Sequence, residues 1–268
     1  MDKFLKGEAL YGDSFNEKEI EKWYQDEGEG SEDLRKGFDS FEKLNKGTNY
    51  RNFFYGFRFL KSSFKNILSI GGAYGDELFP VINKADGDIF IVESSRELID
   101  KQSEQKIFKY VLADVSGKLN FDNNKFDLVT CFSTLHHIPN VSFVISEIYR
   151  VLEPGGFALI SEPIVSMGDW NKPETRKGLT KRERGIPEKI FDKIILDSGF
   201  TILKKNFCVF SPIHLFFGRI LKTTPYNSRL IVWLDFLLSK IFKFNVKYYR
   251  KNFFNKISPS SIFYVLKK

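Results

Sequence analysis

Between residues 65 and 163, short apolar runs alternate with helix-like segments, and this alternation constrains the fold more than any other feature of the sequence. The apolar runs cover 65–70, 88–93, 109–115, 126–134 and 157–163. The helix-like segments between them cover 75–85, 95–105 and 140–152. Buried strands that alternate with helices form a parallel, doubly wound sheet. We therefore predict an α/β fold for this part of the chain.

A glycine-rich turn follows the first predicted strand. Gly71, Gly72 and Gly75 stand where the backbone must turn sharply and approach a ligand closely. A helix start at this point directs free N–H groups at an anion or a carboxylate. The spacing matches neither the G-x-G-x-x-G dinucleotide motif nor the phosphate loop that ends in G-K-[ST].

Two acidic residues end the next two strands. Glu93 ends the second strand, 22 positions after Gly71, where a carboxylate can accept hydrogen bonds from ribose hydroxyls. Asp114 ends the third strand, where it can meet an adenine amino group while Val115 offers backbone contacts. A glycine turn followed by two strand-end acids is a much more specific pattern than any one of them.

The stretches NILSIGGAYGD, IFIVES, YVLADV, FDLVTCFSTLHHIPN and RVLEPGGFALISEP together resemble class I S-adenosylmethionine-dependent methyltransferases of the type 11 branch. The resemblance covers about residues 65–163. It implies that the glycine turn faces the methionine end of S-adenosyl-L-methionine, that Glu93 holds the ribose and that Asp114 reads the adenine. The cofactor-binding residues it implies are Gly71, Gly72, Ala73, Gly75, Glu93, Ser94, Asp114, Val115, Phe132 and Ser133.

The resemblance also implies a Rossmann-like, mostly parallel seven-stranded sheet with an antiparallel last strand, to which helices are added at both ends. The domain boundaries we predict are a helical cap at 1–49, the methyltransferase core at 50–211, an apolar and basic insertion at 212–258, and the last strand at 259–268. The cap contains an amphipathic helix over 14–27, with Ser14 and Glu17 as its capping box.

Two positions depart from the family pattern. The acid that usually precedes the first glycine by two residues is Ser69 here, and Ala73 replaces the second motif glycine. These departures motivate a second hypothesis, in which a degenerate methyltransferase fold serves as a non-catalytic binding or assembly protein.

Methyl transfer to a hydroxyl needs a base near neutral pKa, and histidine is the usual choice. His137 is our first candidate base and His136 the second, because both follow the fourth strand at its carboxyl end. The alternative is that this pair only shapes the cofactor pocket; Glu162, which ends the fifth strand, is another candidate base. No His, Cys and carboxylate cluster has metal-ligand spacing, so we expect no metal.

The polar stretch 169–187 leaves the fifth strand and can overhang the acceptor pocket. Arg176, Arg182 and Arg184 within it could clamp a phosphate or carboxylate of the substrate. The alternative is a solvated charged loop.

Charge is distributed unevenly along the chain, whose net charge is +7. Residues 1–33 contain eleven acidic and four basic residues, whereas 201–268 contain thirteen basic residues and one acid, Asp235. Within 212–258, Asp235, Ser239 and Lys243 form one thin polar stripe on an otherwise apolar helix. Such a segment is a lid, a homodimer contact or a membrane-surface helix.

The composition limits the remaining alternatives. No apolar run approaches the roughly 20 residues that span a bilayer, and the amino terminus lacks a signal core, so we expect a soluble, cytoplasmic chain. Membrane contact, if any, is peripheral at the inner face through 212–258.

The expected function is methylation of a hydroxyl on a sugar, glycan or other small acceptor. The basic tail motivates a third reading, an RNA methyltransferase, although no Asn/Asp-Pro-Pro-aromatic segment follows the fourth strand.

Overall fold

The computed structural model describes residues 2–35, 49–61, 63–102, 107–169, 172, 176, 179–221, 223 and 225–268. The strands are β1 (Ile67–Ile70), β2 (Ile89–Glu93), β3 (Lys109–Leu112), β4 (Phe126–Phe132), β5 (Leu152–Pro163), β6 (Thr201–Phe210) and β7 (Pro259–Lys267). The helices are α1 (Asp2–Leu5), α2 (Glu17–Arg35), α3 (Asn49–Tyr55), α4 (Arg96–Gln102), α5 (Val141–Val151), α6 (Glu188–Asp197), α7 (Ser211–Leu215) and α8 (Arg229–Ile241). Residues 36–48 of the predicted cap and several residues of the 169–187 stretch lie outside the described residues.

The strands form one sheet in the order β3-β2-β1-β4-β5-β7-β6. β1 pairs in parallel with both β2 and β4, whereas β7 runs antiparallel between β5 and β6. This confirms the predicted Rossmann-like sheet with its antiparallel last strand. The strand order reverses between β1 and β4, and ligands of such sheets bind in the crevice at the carboxyl ends of the strands beside that point.

The core lies on both faces of the sheet because successive strand residues point to opposite sides. On β4, Leu128 packs into a cluster with Tyr55 and Phe263, while Val129 packs on the other face with Ile145 of α5. All seven residues of β4 are buried. The loops that follow its carboxyl end are therefore attached to a rigid central strand.

Two predicted local structures differ from the observed ones. The predicted 75–85 helix is two separate 3-10 turns, Asp76–Leu78 and Ile82–Lys84, because Pro80 between them has no N–H to continue a helix. The predicted Ser14 cap of the first long helix is also wrong. Asn16 forms the capping box instead: its Oδ1 accepts from the Glu19 N–H at 3.1 Å, and its own N–H donates to Glu19 Oε2 at 2.9 Å.

Helix α8 packs on β6 with Asp235 and Ser239 of the predicted polar stripe turned inward, whereas Lys243, the third residue of that stripe, follows the helix and is exposed. Asp235 and Ser239 are fully buried. Asp235 accepts hydrogen bonds from the Tyr55 hydroxyl at 3.0 Å and from the backbone N–H groups of Val209 and Phe210 at 3.1 and 2.6 Å. Leu230, Trp233, Leu234 and Ile241 of α8 are exposed. Among the described residues, no helix has both the length and the apolar content to cross a bilayer.

Candidate functional site

The turn after β1 requires glycine at two positions. Gly71 and Gly75 have φ values of +68° and +76°, in the left-handed region that side chains disfavour. A Cβ at Gly71 would lie 2.3 Å from Oγ1 of Thr134, and one at Gly75 would lie 2.5 Å from the Phe108 ring. Ala73, where the family pattern has glycine, adopts φ +45°. The backbone at position 73 therefore keeps the left-handed conformation typical of glycine, although the residue is alanine.

A carboxyl group stands below the turn although Ser69 replaces the usual acid. The Ser69 hydroxyl donates to Glu77 Oε1 at 2.6 Å, and the Thr130 hydroxyl donates to the same oxygen at 2.8 Å. A Cβ on Gly72 would lie 2.1 Å from Ser69 Oγ, so the turn packs directly on this pair. Burial raises the pKa of Glu77 to about 7, against the lowering effect of the two hydroxyls. Glu77 therefore supplies a carboxyl beside the turn. The sequence did not indicate this residue, because Glu77 follows the glycines whereas the family pattern has its acid before them.

The two predicted cofactor acids lie at the same edge of the sheet as the glycine turn. The Gly71 N–H donates to the Val92 carbonyl at 2.8 Å, and the Ala113 N–H donates to the Glu93 carbonyl at 2.9 Å. These bonds bring the ends of β1, β2 and β3 side by side. Gly71, Glu93 and Asp114, which follow three successive strands in the sequence, therefore lie at the ends of neighbouring strands in the structure.

Local hydrogen bonds hold both carboxylates in place. Glu93 Oε1 accepts from the N–H groups of Ser94 and Ser95 at 2.8 and 3.1 Å. Asp114 Oδ1 accepts from the Ser116 N–H at 2.8 Å and hydroxyl at 2.7 Å. The hydroxyl and N–H of Ser116 lower the pKa of Asp114, so this carboxyl is ionised at neutral pH. Val115, next to Asp114, is exposed.

Phe132 and Ser133 occupy different environments. Phe132 is buried in the core, with its ring centroid 6.2 Å from that of Phe57 and 5.4 Å from that of Phe263. Ser133 has φ +52°, and its N–H donates to the Ser161 carbonyl at 2.8 Å. At this position the backbone leaves β4 and begins the histidine turn, Leu135–His137.

His136 and Glu162 form a buried pair. Nδ1 of His136 lies 2.8 Å from Glu162 Oε2. The other oxygen of Glu162 accepts from the N–H groups of Thr134 and Leu135 at 2.7 and 2.8 Å. Glu162 therefore orients the His136 ring and fixes the first residues of the histidine turn.

His137 is the more accessible of the two histidines, with 36% of its side chain exposed. Its Nδ1 lies 2.8 Å from Oε2 of Glu27 on α2 and 3.5 Å from Oε2 of Glu183. Glu27 also accepts from the Thr180 hydroxyl at 2.7 Å and the Arg182 N–H at 2.8 Å. Burial acts to raise the pKa of Glu27, but these hydrogen bonds outweigh it and lower the pKa below its usual value.

His136, His137 and Glu183 also lie close enough to be considered as metal ligands. Their ligand atoms all lie within 4.8 Å of one another, and imidazole with carboxylate suits a zinc-type ion. Sequence spacing does not reveal this group because Glu183 comes from the loop after β5. In this structure the group forms a hydrogen-bonded network, in which Nδ1 of each histidine pairs with a carboxylate.

The three predicted substrate arginines use their donors within the protein. Arg176 donates to the backbone carbonyls of Met167, Thr180 and Glu183. Arg182 donates from Nε to Asp26 at 2.8 Å, and its other guanidinium nitrogens lie near Asp26 and the Tyr11 hydroxyl. These bonds join the loop after β5 to itself and to the N-terminal helix.

Arg184 is fully buried under the histidine turn. Its guanidinium donates to the carbonyls of His136 and Pro139 at 3.0 Å each, to that of Leu135 at 3.2 Å and to that of Tyr11 at 2.9 Å. Burial lowers its pKa to about 10. Arg184 therefore holds the histidine turn in position.

The N-terminal helix α2 covers this edge of the sheet. Trp23 is fully buried, and its indole N–H donates to the His137 carbonyl at 2.7 Å. Burial raises the pKa of the Tyr24 hydroxyl; the charge of Arg184 opposes this shift, while those of Glu27 and Asp114 add to it. Tyr24 therefore lies within electrostatic range of both the histidine network and the end of β3.

Comparisons with known proteins agree with this geometry. Residues 68–160 match a family model described as a methyltransferase domain. Sterol 24-C-methyltransferase of Saccharomyces cerevisiae is 37% identical over 109 residues, covering 35% of this chain and 28% of that protein. Demethylmenaquinone methyltransferase of Leptospira interrogans is 33% identical over 69 residues, covering 26% of this chain and 28% of that protein. The chain thus spans less than a third of the length of these relatives.

A solved S-adenosylmethionine-dependent methyltransferase from Mesorhizobium loti shares the fold. It superposes with a TM-score of 0.53 at 16% identity, over 79% of this chain and 94% of that one. The sheet order and these matches show that residues 68–160 form a methyltransferase domain within a class I S-adenosylmethionine-dependent methyltransferase fold.

Proposed function

We propose that this protein transfers a methyl group from S-adenosylmethionine to an oxygen atom of a small-molecule acceptor, with His137 as the general base. The observation that carries the proposal is the His137–Glu27 pair at the carboxyl edge of the sheet. A carboxylate at Nδ1 orients an imidazole and stabilises the charge it acquires on taking a proton. The partly exposed ring of His137 is better placed to meet an acceptor than the buried ring of His136.

The residues at the edge of the sheet fit the cofactor. S-adenosylmethionine, when bound, supplies an electrophilic methyl group on a sulfonium. The Gly71–Gly75 turn would lie against its amino acid part, Glu93 would accept from the ribose hydroxyls and Asp114 from the adenine amino group. Both carboxylates are held by hydrogen bonds from the residues that follow them, so they are positioned before a ligand arrives.

The acceptor we propose is a sugar, a glycan or another small molecule with a hydroxyl group. A second candidate is methylation at carbon, which the names of the sterol and demethylmenaquinone relatives favour. The same imidazole and carboxylate pair can take a proton from carbon or from oxygen, so the site chemistry is shared. The two candidates differ in the product, not in the residues.

The non-catalytic alternative has less support. It was motivated by Ser69 and Ala73, but Glu77 places a carboxyl beside Ser69, and Ala73 adopts the left-handed conformation expected of glycine. The RNA alternative rests on the basic carboxyl-terminal segment alone. Binding of RNA through such a segment weakens steeply as salt rises.

The experiment is a methyl-transfer assay on the full chain with labelled S-adenosylmethionine and a panel of sugars, glycans, phenols, sterols, quinols and RNA. NMR of the product distinguishes O-methyl from C-methyl groups. We expect His137→Ala to lower the transfer rate by about a hundredfold or more, whereas His214→Ala, the third histidine of the chain, leaves it unchanged. A chelator in the assay should have no effect.

Calorimetric titration with S-adenosylmethionine separates the alternatives. Both histidine variants should bind the cofactor as the parent protein does. Cofactor binding without transfer to any member of the panel would favour the non-catalytic reading, and no cofactor binding at all would contradict the proposal.

A further inference from the structure

The outer surface of α8 is apolar, although the helix carries polar residues that could have faced solvent. Its buried positions are Val232, Asp235 and Ser239. The opposite face presents Leu230, Trp233 and Ile241, which are 73%, 52% and 59% exposed. An amphipathic helix on a protein surface normally buries its apolar face and exposes its polar face. Helix α8 instead buries Asp235 and Ser239 and leaves large apolar side chains exposed.

The same surface continues beyond the helix. Phe244, in the 3-10 turn Phe242–Asn245 that follows α8, is 77% exposed. The side-chain amide of Asn245 donates to the carbonyls of Phe254 and Ile257 at 2.6 and 3.0 Å, which brings the Phe253–Phe254 segment next to this turn. Phe253 and Phe254 are each 73% exposed. We call Leu230, Trp233, Ile241, Phe244, Phe253 and Phe254 the α8 apolar surface.

The segment that carries this surface, residues 201–268, is rich in basic residues and contains one acidic residue. Lys240, Lys243, Lys247, Lys251 and Lys256 are all exposed. Asp235, the single acidic residue between 201 and 268, is buried under the helix. Exposed lysines interspersed in sequence with exposed Trp, Phe and Leu are typical of a segment that lies in the interface of an anionic bilayer.

We propose that the α8 apolar surface and its lysines bind the surface of an anionic lipid bilayer. Helix α8 has 13 residues and is therefore roughly 20 Å long, too short for a hydrocarbon core of about 30 Å. It lies along the membrane and does not cross it. The aromatic and aliphatic side chains enter the interface, and the lysines meet the phosphate groups of the lipids.

Other occupants fit the surface less well. A second copy packed on it about a two-fold axis would bring two lysine-rich segments together, with no exposed acidic residue of 201–268 to pair with them. Single-stranded RNA stacks on aromatic rings, but Leu230 and Ile241 offer no ring. The lipid surface is the occupant that uses both the aliphatic side chains and the charges.

The test is flotation of the full chain with two kinds of vesicle, phosphatidylcholine alone and equal parts phosphatidylcholine and phosphatidylglycerol. We expect the protein to float with the anionic vesicles, less so at high salt, and weakly with the neutral ones. The double variant Trp233→Ser/Phe244→Ser should bind the anionic vesicles about tenfold more weakly or worse. Leu196→Ser, which removes an exposed leucine from α6, should bind normally.

A charge series tests the second component of the surface. Lys240→Gln/Lys243→Gln/Lys247→Gln should weaken binding to anionic vesicles on the order of a hundredfold, while Lys189→Gln on α6 should not. Circular dichroism and thermal unfolding must match the parent protein for each variant. Equal flotation of all variants, or of none of the proteins including the parent, overturns the proposal.

Two further results would also overturn it. One is a dimer in sedimentation velocity that Trp233→Ser disrupts, in a protein that does not float with vesicles. The other is salt-sensitive binding of an RNA oligonucleotide that the lysine variants abolish, again without flotation. None of these readouts depends on methyl transfer, so the lipid proposal and the proposed activity can fail separately.

Discussion

The hydroxyl of Ser69 donates a hydrogen bond to Glu77 at 2.6 Å beneath the glycine turn. A serine thus stands where the family pattern puts an acid, and a carboxyl from the following 3-10 turn lies directly beside it. Because the hydroxyls of Ser69 and Thr130 both donate to Oε1, Glu77 can keep a proton on its other oxygen without losing these bonds.

The raised pKa of Glu77 predicts a pH-dependent stability difference in Glu77→Gln. Below the usual carboxyl pKa of 4.5, Glu77 is protonated in both states and the variant should match the parent. Between that value and about 7, the unfolded chain loses the proton while the folded chain keeps it, so the parent loses stability. Above about 7 the variant should be more stable by on the order of 2–3 kcal/mol.

Urea unfolding of both proteins between acid and mildly alkaline pH measures this difference. Asp86→Asn, at an exposed carboxyl, is the control and should show no such trend. A difference that stays constant with pH would mean that Glu77 has the same pKa in the folded and the unfolded protein.

Loss of the Glu27 carboxylate is expected to slow methyl transfer. Glu27→Gln removes the charge that faces Nδ1 of His137 and leaves a side chain of the same size. We expect the turnover number to fall roughly a hundredfold, because a catalytic ring that is no longer fixed loses much of its proximity advantage. Glu21→Gln, on the same helix and exposed, should have no effect. An unchanged pH–rate profile and rate in Glu27→Gln would remove Glu27 from the mechanism.

Glu93 and Asp114 should contribute separately to cofactor affinity. Hydrogen bonds to charged groups contribute about 1.5–3 kcal/mol, so Glu93→Ala and Asp114→Ala should each raise the dissociation constant of S-adenosylmethionine at least tenfold. Titration calorimetry provides the measurement, with Glu97→Ala on the exposed surface of α4 as control. Equal affinity in all three variants would place the cofactor elsewhere.

Arg184→Met should destabilise the protein and disturb the histidine turn. The change leaves the carbonyls of Leu135, His136, Pro139 and Tyr11 without their common donor. The backbone N–H groups of Ile138, Arg184 and Val141 still donate to the Leu135, His136 and Pro139 carbonyls, so only the Tyr11 carbonyl loses its one described donor. Each hydrogen bond from a charged donor contributes about 1.5–3 kcal/mol; removing the buried charge offsets part of the loss, and we expect a net loss of at least about 3 kcal/mol in urea unfolding. Arg58→Met, at an exposed arginine, should lose less than about 1 kcal/mol.

The sequence predicts the parts of the site that depend on neighbouring strands. The glycine turn, Glu93 and Asp114 follow three consecutive strands, and a parallel sheet must bring the carboxyl ends of such strands to one edge. The histidine turn is predicted for the same reason. The helix expected at 75–85 fails at Pro80, a local signal that was present in the sequence and outweighed by the apolar pattern.

Contacts between distant segments could not be predicted. Nothing in the spacing of Glu27, His137 and Glu183 indicates that they meet, because their approach depends on how the N-terminal helix and the loop after β5 fold over the sheet.

For α8, periodicity places Asp235 and Ser239 on one face, but it does not indicate which way that face turns. The direction is set by the Tyr55 hydroxyl and by the N–H groups of Val209 and Phe210, which need an acceptor at the end of β6.

The four carbonyls that Arg184 joins belong to two segments that are distant in sequence, and Arg184 itself comes from a third. These segments are the start of the chain at Tyr11, the histidine turn with Pro139, and the loop after β5. A single guanidinium that is shared in this way makes their opening cooperative, since none can separate without breaking bonds to the others. Amide hydrogens in the three segments should therefore exchange with solvent at a common rate, and a ligand that orders one segment should slow exchange in all three.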